Sequence, residues 1–223
     1  MKAIILAGGR GKRLRPITDY VPKPLVPLNN VPIIEWQIRY LKQFNVDEII
    51  ICTGYKTEMI EHFLETKDNF GIKIKFSIEK TPLGTGGAIK QAGKSIKDKS
   101  FFVINGDTIT DIDLRKLEKS LNSIAAIELR TKFGIMETED NKVIKFREKK
   151  EISNVWMNAG IYHLSSAVLK DLPKKGDIEK TVFPDYAKKG TLNTVKFTNT
   201  KWYSIDSFKD MEECSLEVEK IIK

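Results

Sequence analysis

Short apolar runs alternate with amphipathic stretches along the first half of the chain. Residues 2–7 are almost all apolar and end at paired glycines, the pattern of a buried strand running into a loop. Residues 33–44 repeat apolar side chains at helical spacing, 48–53 form a second apolar run, and 57–66 a second helical pattern. The rhythm continues with a strand predicted over 72–78, a helix over 85–92 after a glycine turn and a strand over 100–105. Strands separated by helices predict an α/β fold with a mostly parallel sheet. Ligands of such sheets gather at the carboxyl ends of the strands. That places Gly8 onward, Gly54, Glu79 onward and Gly106-Asp107 on one rim.

From residue 124 the pattern changes. Strands are predicted over 124–129, 134–138 and 142–147, joined by polar turns such as Glu139-Asp140-Asn141. They predict a mixed or antiparallel extension of the sheet. Further strands are expected over 155–164 and 192–197, a short helix over 179–187 and a terminal helix over 208–222. No internal repeat, low-complexity tract or Pro/Gly linker marks a boundary, so one compact domain is expected over 1–223.

Composition adds limits. A hydrophobic fraction of 41% with 30% charged residues is that of an ordinary folded protein. The apolar stretch 3–7 is too short for a secretory signal, and no segment is long enough to span a bilayer, so a cytoplasmic protein is expected. Cys52 and Cys214 have no partner at metal-ligand or disulfide spacing and read as buried thiols, and the isolated His62 and His163 are given no catalytic role. The net charge of +8 suits nucleic acid, an acidic membrane or a small polyanion. Lysines interleaved with acids, without aromatic spacing, favour a solvated surface over a nucleic-acid or membrane face.

The candidate chemistry starts where the first strand ends. Gly8, Gly9 and Gly11 expose backbone N–H groups that can hold phosphate oxygens, and Arg10, Lys12, Arg13 and Arg15 add cations. The string lacks the Gly-Lys-Ser/Thr ending of a P-loop and the third glycine of a dinucleotide fingerprint. Asp107 follows a strand through Asn105-Gly106, where a carboxylate suits Mg²⁺. Asp111 and Asp113 are nearby, with capping of a helix starting near Leu114 the simpler role.

Together with Pro22-Lys23-Pro24-Leu25, the glycine-rich loop resembles the signature of the sugar-1-phosphate nucleotidyltransferases. The resemblance covers nearly the whole chain through Leu83-Gly84-Thr85-Gly86-Gly87-Ala88, Asn105-Gly106-Asp107, Phe146-Arg147-Glu148-Lys149 and Asn158-Ala159-Gly160, in the family's order. It implies the nucleotide-diphospho-sugar transferase fold, a Rossmann-like, mostly parallel mixed sheet flanked by helices. The hexapeptide-repeat β-helix that longer relatives carry is not expected here. The implied reaction joins a nucleoside triphosphate to a sugar 1-phosphate with Mg²⁺ as cofactor and pyrophosphate as leaving group. A homo-oligomer is compatible with it.

By resemblance, Arg13 holds the β- and γ-phosphates and Lys23 neutralises charge near the α-phosphate. Leu6, Ala7, Gly8, Gly9, Gly11, Lys12, Glu79, Gly84, Thr85 and Gly106 line the nucleotide. Asp107 and Asp206 are the metal carboxylates. Glu148, Lys149, Asn158 and Gly160 take the sugar phosphate, although 145–151 is also a charge run of the kind that faces water. The family usually follows the second metal Asp with Gly, where this chain has Ser207 and Phe208. The stretch around Glu79 to Gly87 looks most like mannose- and heptose-1-phosphate guanylyltransferases, which points to GTP. Glucose 1-phosphate with dTTP or UTP, muramic acid phosphate with UTP, phosphocholine with CTP, or a non-catalytic sensor of nucleotide sugars remain open on these residues.

Overall fold

The computed structural model describes residues 1–131, 133–148 and 151–222, and only the backbone of 151–153. In the first half, β1 (Lys2–Leu6) leads through α1 (Ile17–Tyr20) and the small hairpin β2 (Pro27–Leu28) and β3 (Val31–Pro32) into α2 (Ile33–Lys42). Then come β4 (Glu48–Thr53), α3 (Thr57–Thr66), β5 (Lys73–Ile78), α4 (Gly84–Gly93) and β6 (Ser100–Asn105). The second half holds β7 (Thr108–Thr110), α5 (Leu114–Glu118), β8 (Ser123–Arg130), β9 (Ile135–Glu139), β10 (Lys142–Arg147) and β11 (Glu151–Ser165). It closes with α6 (Val168–Asp171), α7 (Val182–Lys188), β12 (Asn193–Phe197), β13 (Trp202–Ser204), α8 (Phe208–Ser215) and α9 (Val218–Ile221).

Seven strands make one sheet in the order β12-β8-β11-β6-β1-β4-β5. β6, β1, β4 and β5 run parallel, as the helical crossovers require, and β11 is antiparallel to both β6 and β8. Alternate side chains of the central strands enter opposite layers. Ile5, Ile49, Ile51, Phe102 and Ile104 pack with Trp36, Ile38 and Leu41 of α2 on one face. Ile4, Ile50, Phe101, Val103 and Tyr162 pack with Ala88, Ile89 and Ala92 of α4 on the other. Both cysteines are free and buried, and burial pushes both thiols up, which makes them poor nucleophiles. Among the described residues no helix is long and apolar enough to cross a membrane.

The second half departs from expectation in three places. β9 and β10 pair only with each other instead of extending the large sheet. Most of their apolar side chains stay exposed, Met136 at 56% and Val143 at 55%, so they form a two-stranded arm without a core. The helix expected over 179–187 is a 3-10 turn, Ile178–Lys180, and α7, separated at Thr181. The terminal helix breaks between α8 and α9 at Glu217 (φ −124°), whose carboxylate accepts from Tyr203 Oη (2.7 Å) and Lys201 Nζ (2.9 Å).

Candidate active site

Adjacent strand ends build the floor of the site. Ala7 N donates to Cys52 O (2.8 Å), Glu79 N to Thr53 O (2.7 Å) and Gly106 N to Leu6 O (2.9 Å). The rim expected from the sheet is thus assembled, with Gly8, Gly54, Glu79 and Gly106 as neighbours. Gly106 allows the closest approach: a Cβ there would stand 2.4 Å from the Leu6 carbonyl oxygen.

Beyond β1 the loop turns through Gly11 (φ +61°) into a 3-10 turn, Lys12–Leu14. Leu14 is fully buried and anchors the turn, while Thr18 Oγ1 donates to Gly11 O (2.8 Å). The basic residues around it then separate. Arg15 Nε pairs with Asp19 (3.0 Å), and Arg10 lies over the Tyr55 ring. Lys12 and Arg13 line a cleft of about 270 Å³ with Gly9, Lys23, Asp107 and Asp206. A second lobe of about 600 Å³ shares Leu6, Gly9, Gly11 and Lys12 with the first and extends to Glu79, Gly84 and Thr85. A small polar lobe joined to a larger one suits an anionic group attached to a ring system.

Lys23 is the hub of the polar lobe. Pro22 is extended (φ −67°, ψ 149°) and a 3-10 turn, Lys23–Leu25, follows, which aims the lysine inward. Its Nζ donates to Asp107 Oδ2 (2.6 Å) and Asp206 Oδ1 (2.9 Å), and Arg13 reaches the same Asp206 oxygen (2.8 Å). Burial alone would raise the Asp206 pKa. The Lys23 hydrogen bond and charge, the Ser204 hydroxyl and Arg13 outweigh it and hold the carboxyl below its ordinary value.

Two short strands bring these carboxylates together. β7 and β13 pair antiparallel with Thr108 opposite Ser204, and Ile205 N donates to Asp107 O (3.0 Å). The Ser207-Phe208 departure proves to be a helix cap. Ser207 is the N-cap of α8 and its hydroxyl accepts from Asp210 N (3.3 Å). Asp210 in turn accepts from Asp206 N (3.1 Å), which fixes the backbone at Asp206 without the family's glycine. Asp113 caps α5 by accepting from Arg115 N (3.0 Å), and Asp111 accepts from Lys201 N (3.0 Å), so both serve the backbone.

In the larger lobe Glu79 is half-buried. Burial raises its pKa, partly offset by the hydrogen bond it accepts from Leu83 N (2.9 Å). Its Oε1 lies against Gly8, where a Cβ would approach it to 2.5 Å. On β11, Asn158 Oδ1 accepts from Gly160 N (2.8 Å) and Gly160 packs on Asn105, and neither residue lines either cleft. Glu148 is exposed beyond the end of β10, beside Gly134, and does not line either cleft. Lys149 lies outside the described residues.

The sequence profile of the nucleotidyl transferase family matches residues 2–221. This chain belongs to that family. A D-glycero-alpha-D-manno-heptose 1-phosphate guanylyltransferase of Campylobacter jejuni is 42% identical over 196 residues, which cover 84% of this chain and 87% of that protein. The mannose-1-phosphate guanyltransferase beta-A of Xenopus laevis is 36% identical over 226 residues, covering 94% of this chain but 62% of its own length. Among solved structures, HddC of Yersinia pseudotuberculosis complexed with GMP-PN has a TM-score of 0.75 at 30% identity, covering 97% of this chain and 98% of HddC.

Several residues that hold this nucleotidyl transferase site in shape carry no motif. Gln37, buried in α2, donates through Nε2 to Asn105 O (2.8 Å) and Thr108 O (3.1 Å), spanning the Gly106-Asp107 turn. A lone amide among the apolar positions of a helix was the available signal. Thr18 beneath Gly11 and Glu179 beside Thr85 gave none, since each sits in a polar stretch.

Proposed function

We propose that this chain transfers the guanylyl group of GTP to a sugar 1-phosphate of the mannose or heptose type and releases pyrophosphate. The observation that carries the reading is Lys23 held between Asp107 and Asp206 at the mouth of a glycine-floored cleft that continues to Glu79. The guanylyltransferases among its relatives support the choice of donor and acceptor.

A sugar-phosphate oxygen forms a bond to the α-phosphorus, and the bond from that phosphorus to the α,β-bridging oxygen breaks, its electron pair leaving with pyrophosphate. Two anions must approach each other, so the chain's work is to position them and neutralise their charge. Backbone N–H groups of Gly8 to Gly11 and the Lys12 side chain receive the triphosphate, Arg13 takes its outer phosphates, and Lys23 meets the α-phosphate where charge accumulates. Mg²⁺ is the proposed cofactor. Asp107 and Asp206 would hold it, since their oxygens already converge on one cation, Lys23 Nζ, and two carboxylates with phosphate oxygens form a set that Mg²⁺ takes. When bound it supplies positive charge to the phosphate oxygens.

Glu79 is the proposed reader of the base. Guanine presents N1–H and the N2 amino group on one edge, two donors matched to an acceptor-only carboxylate. Replacing Glu79 by Gln puts a donor where an acceptor is needed. The expected result is a fall in kcat/KM for GTP of roughly 10- to 100-fold, the worth of one good base contact. Pyrophosphate release with GTP, UTP, dTTP, CTP and ATP measures it. An unchanged preference among the five nucleotides would remove Glu79 from base recognition.

A further inference from the structure

One half-buried carboxylate next to the cleft has no part in the reaction above. Glu179, in the 3-10 turn Ile178–Lys180, accepts the Thr85 hydroxyl proton on Oε2 and the Tyr162 hydroxyl proton on Oε1 (3.0 Å). Tyr162 is fully buried on β11, and its oxygen accepts in turn from Asn158 Nδ2 (2.9 Å). The opposite end of that amide, Oδ1, accepts from Gly160 N (2.8 Å).

The polarity of this chain is set from both ends, by the Glu179 carboxylate and by the Gly160 N–H. An ionised carboxylate only accepts, so both hydroxyls must spend their single proton on Glu179. The Tyr162 oxygen can then only accept from Asn158, in agreement with the orientation that Gly160 N imposes on the other end of the amide. Without Glu179 the Tyr162 proton has no acceptor in this network, the phenol oxygen is no longer held toward Asn158 Nδ2, and Gly160 N alone holds the amide. A buried hydroxyl without a partner is costly, so the chain holds as a unit.

The other end of the network is fastened to the nucleotide lobe. Thr85 lines that lobe, and its Oγ1 also accepts from Ile178 N (3.0 Å). The segment before Glu179 is held to α4 by Gly176 N donating to Leu83 O (2.7 Å) and Gly87 N to Gly176 O (3.2 Å). No side chain fits between them: a Cβ at Gly84 would lie 2.7 Å from the Gly176 carbonyl carbon, and one at Gly87 would lie 2.8 Å from Lys174 O. Movement of the nucleotide wall therefore carries Glu179 with it.

We propose that Glu179 is a positioning residue that fixes the Asn158 amide for the sugar hydroxyls and couples it, through Thr85, to the nucleotide lobe, so that bound GTP tightens binding of the sugar 1-phosphate. The inference rests on the guanylyltransferase reading and on Asn158 as an acceptor-side residue. Isothermal titration of mannose 1-phosphate with Mg²⁺, with and without the α,β-methylene analogue of GTP, reads the coupling directly. In the wild type the analogue tightens mannose 1-phosphate binding by about fivefold or more, within the usual range of site-to-site coupling. Glu179→Ala and Tyr162→Phe each reduce that factor below about twofold, and the double variant does no more than either alone. Glu179→Gln keeps the shape of the side chain but sets an N–H donor against the Thr85 or the Tyr162 hydroxyl, and it also lowers the factor, whereas a bulk packing role would leave it unchanged.

Equal coupling in the wild type and Tyr162→Phe, additive losses in the double variant, or no coupling in the wild type would each overturn the inference. Should Glu179→Ala not fold, Tyr162→Phe and Glu179→Gln carry the test. Failure of the wild type to transfer guanylyl groups to any sugar 1-phosphate overturns the underlying reading, whereas transfer with coupling that ignores these substitutions overturns this inference alone.

Discussion

Alanine at Asp107 or Asp206 is expected to lower turnover by roughly 10³-fold or more, the scale of losing a charge aimed at the reacting phosphates. The two carboxylates share one ammonium at 2.6 and 2.9 Å, and Arg13 adds a second cation to Asp206. Removing either aspartate leaves Lys23 paired with the other. Both carboxylates are partly solvated, so each substitution is expected to cost about 1 kcal/mol or less in stability. The pairing of β7 with β13 that places them is a backbone ladder and does not depend on either side chain. Steady-state pyrophosphate release and thermal melting of the two variants separate these effects. Turnover within tenfold of the wild type would take that residue out of the reacting centre.

Lys23→Met is expected to act in two opposite directions. Turnover falls by about 10²- to 10³-fold, since the ammonium that meets the α-phosphate is lost. Binding of a divalent cation in the absence of nucleotide becomes stronger, because Asp107 and Asp206 face each other with their shared cation gone. Titration with Mn²⁺, followed by its electron paramagnetic resonance signal, checks the second effect without any need for activity. A lysine that merely supported the loop would give weaker metal binding or none, and that outcome would contradict the role assigned to Lys23.

The strands and helices of the first half were legible because each element is long and repeats its apolar spacing. β4, α3 and β6 occupy the predicted residues 48–53, 57–66 and 100–105. The rim followed from them, since strand direction alone puts Gly8, Glu79 and Gly106 at one edge. What sequence could not show was how Asp107 meets Asp206. That meeting depends on strands of three residues each, too short for a period to register, joined across most of the second half of the chain.

The arm of β9 and β10 misled for the opposite reason. Its short apolar runs, joined by a polar turn, read as strands of the sheet, but they stay exposed, and such a run alone cannot tell a buried strand from an open one. The terminal helix continued in pattern through Val218 and Ile221, which are buried, while Glu217 just before them is drawn to Tyr203 and Lys201 and breaks the turn. Glu179 was hidden at the start of the helix expected over 179–187, with nothing to tell it from a solvated charge until Tyr162 and Thr85 are seen to converge on it.

The central proposal, guanylyl transfer to a sugar 1-phosphate, is tested most directly by phosphorus NMR of the wild-type chain with Mg²⁺, GTP and either mannose 1-phosphate or heptose 1-phosphate. The expected spectrum gains pyrophosphate and the paired diphosphate signals of a GDP-sugar, in equal amounts, as GTP and the sugar phosphate disappear. A folded chain that leaves these reactants unchanged, or that forms the diphosphate only with a different nucleotide, would contradict the account.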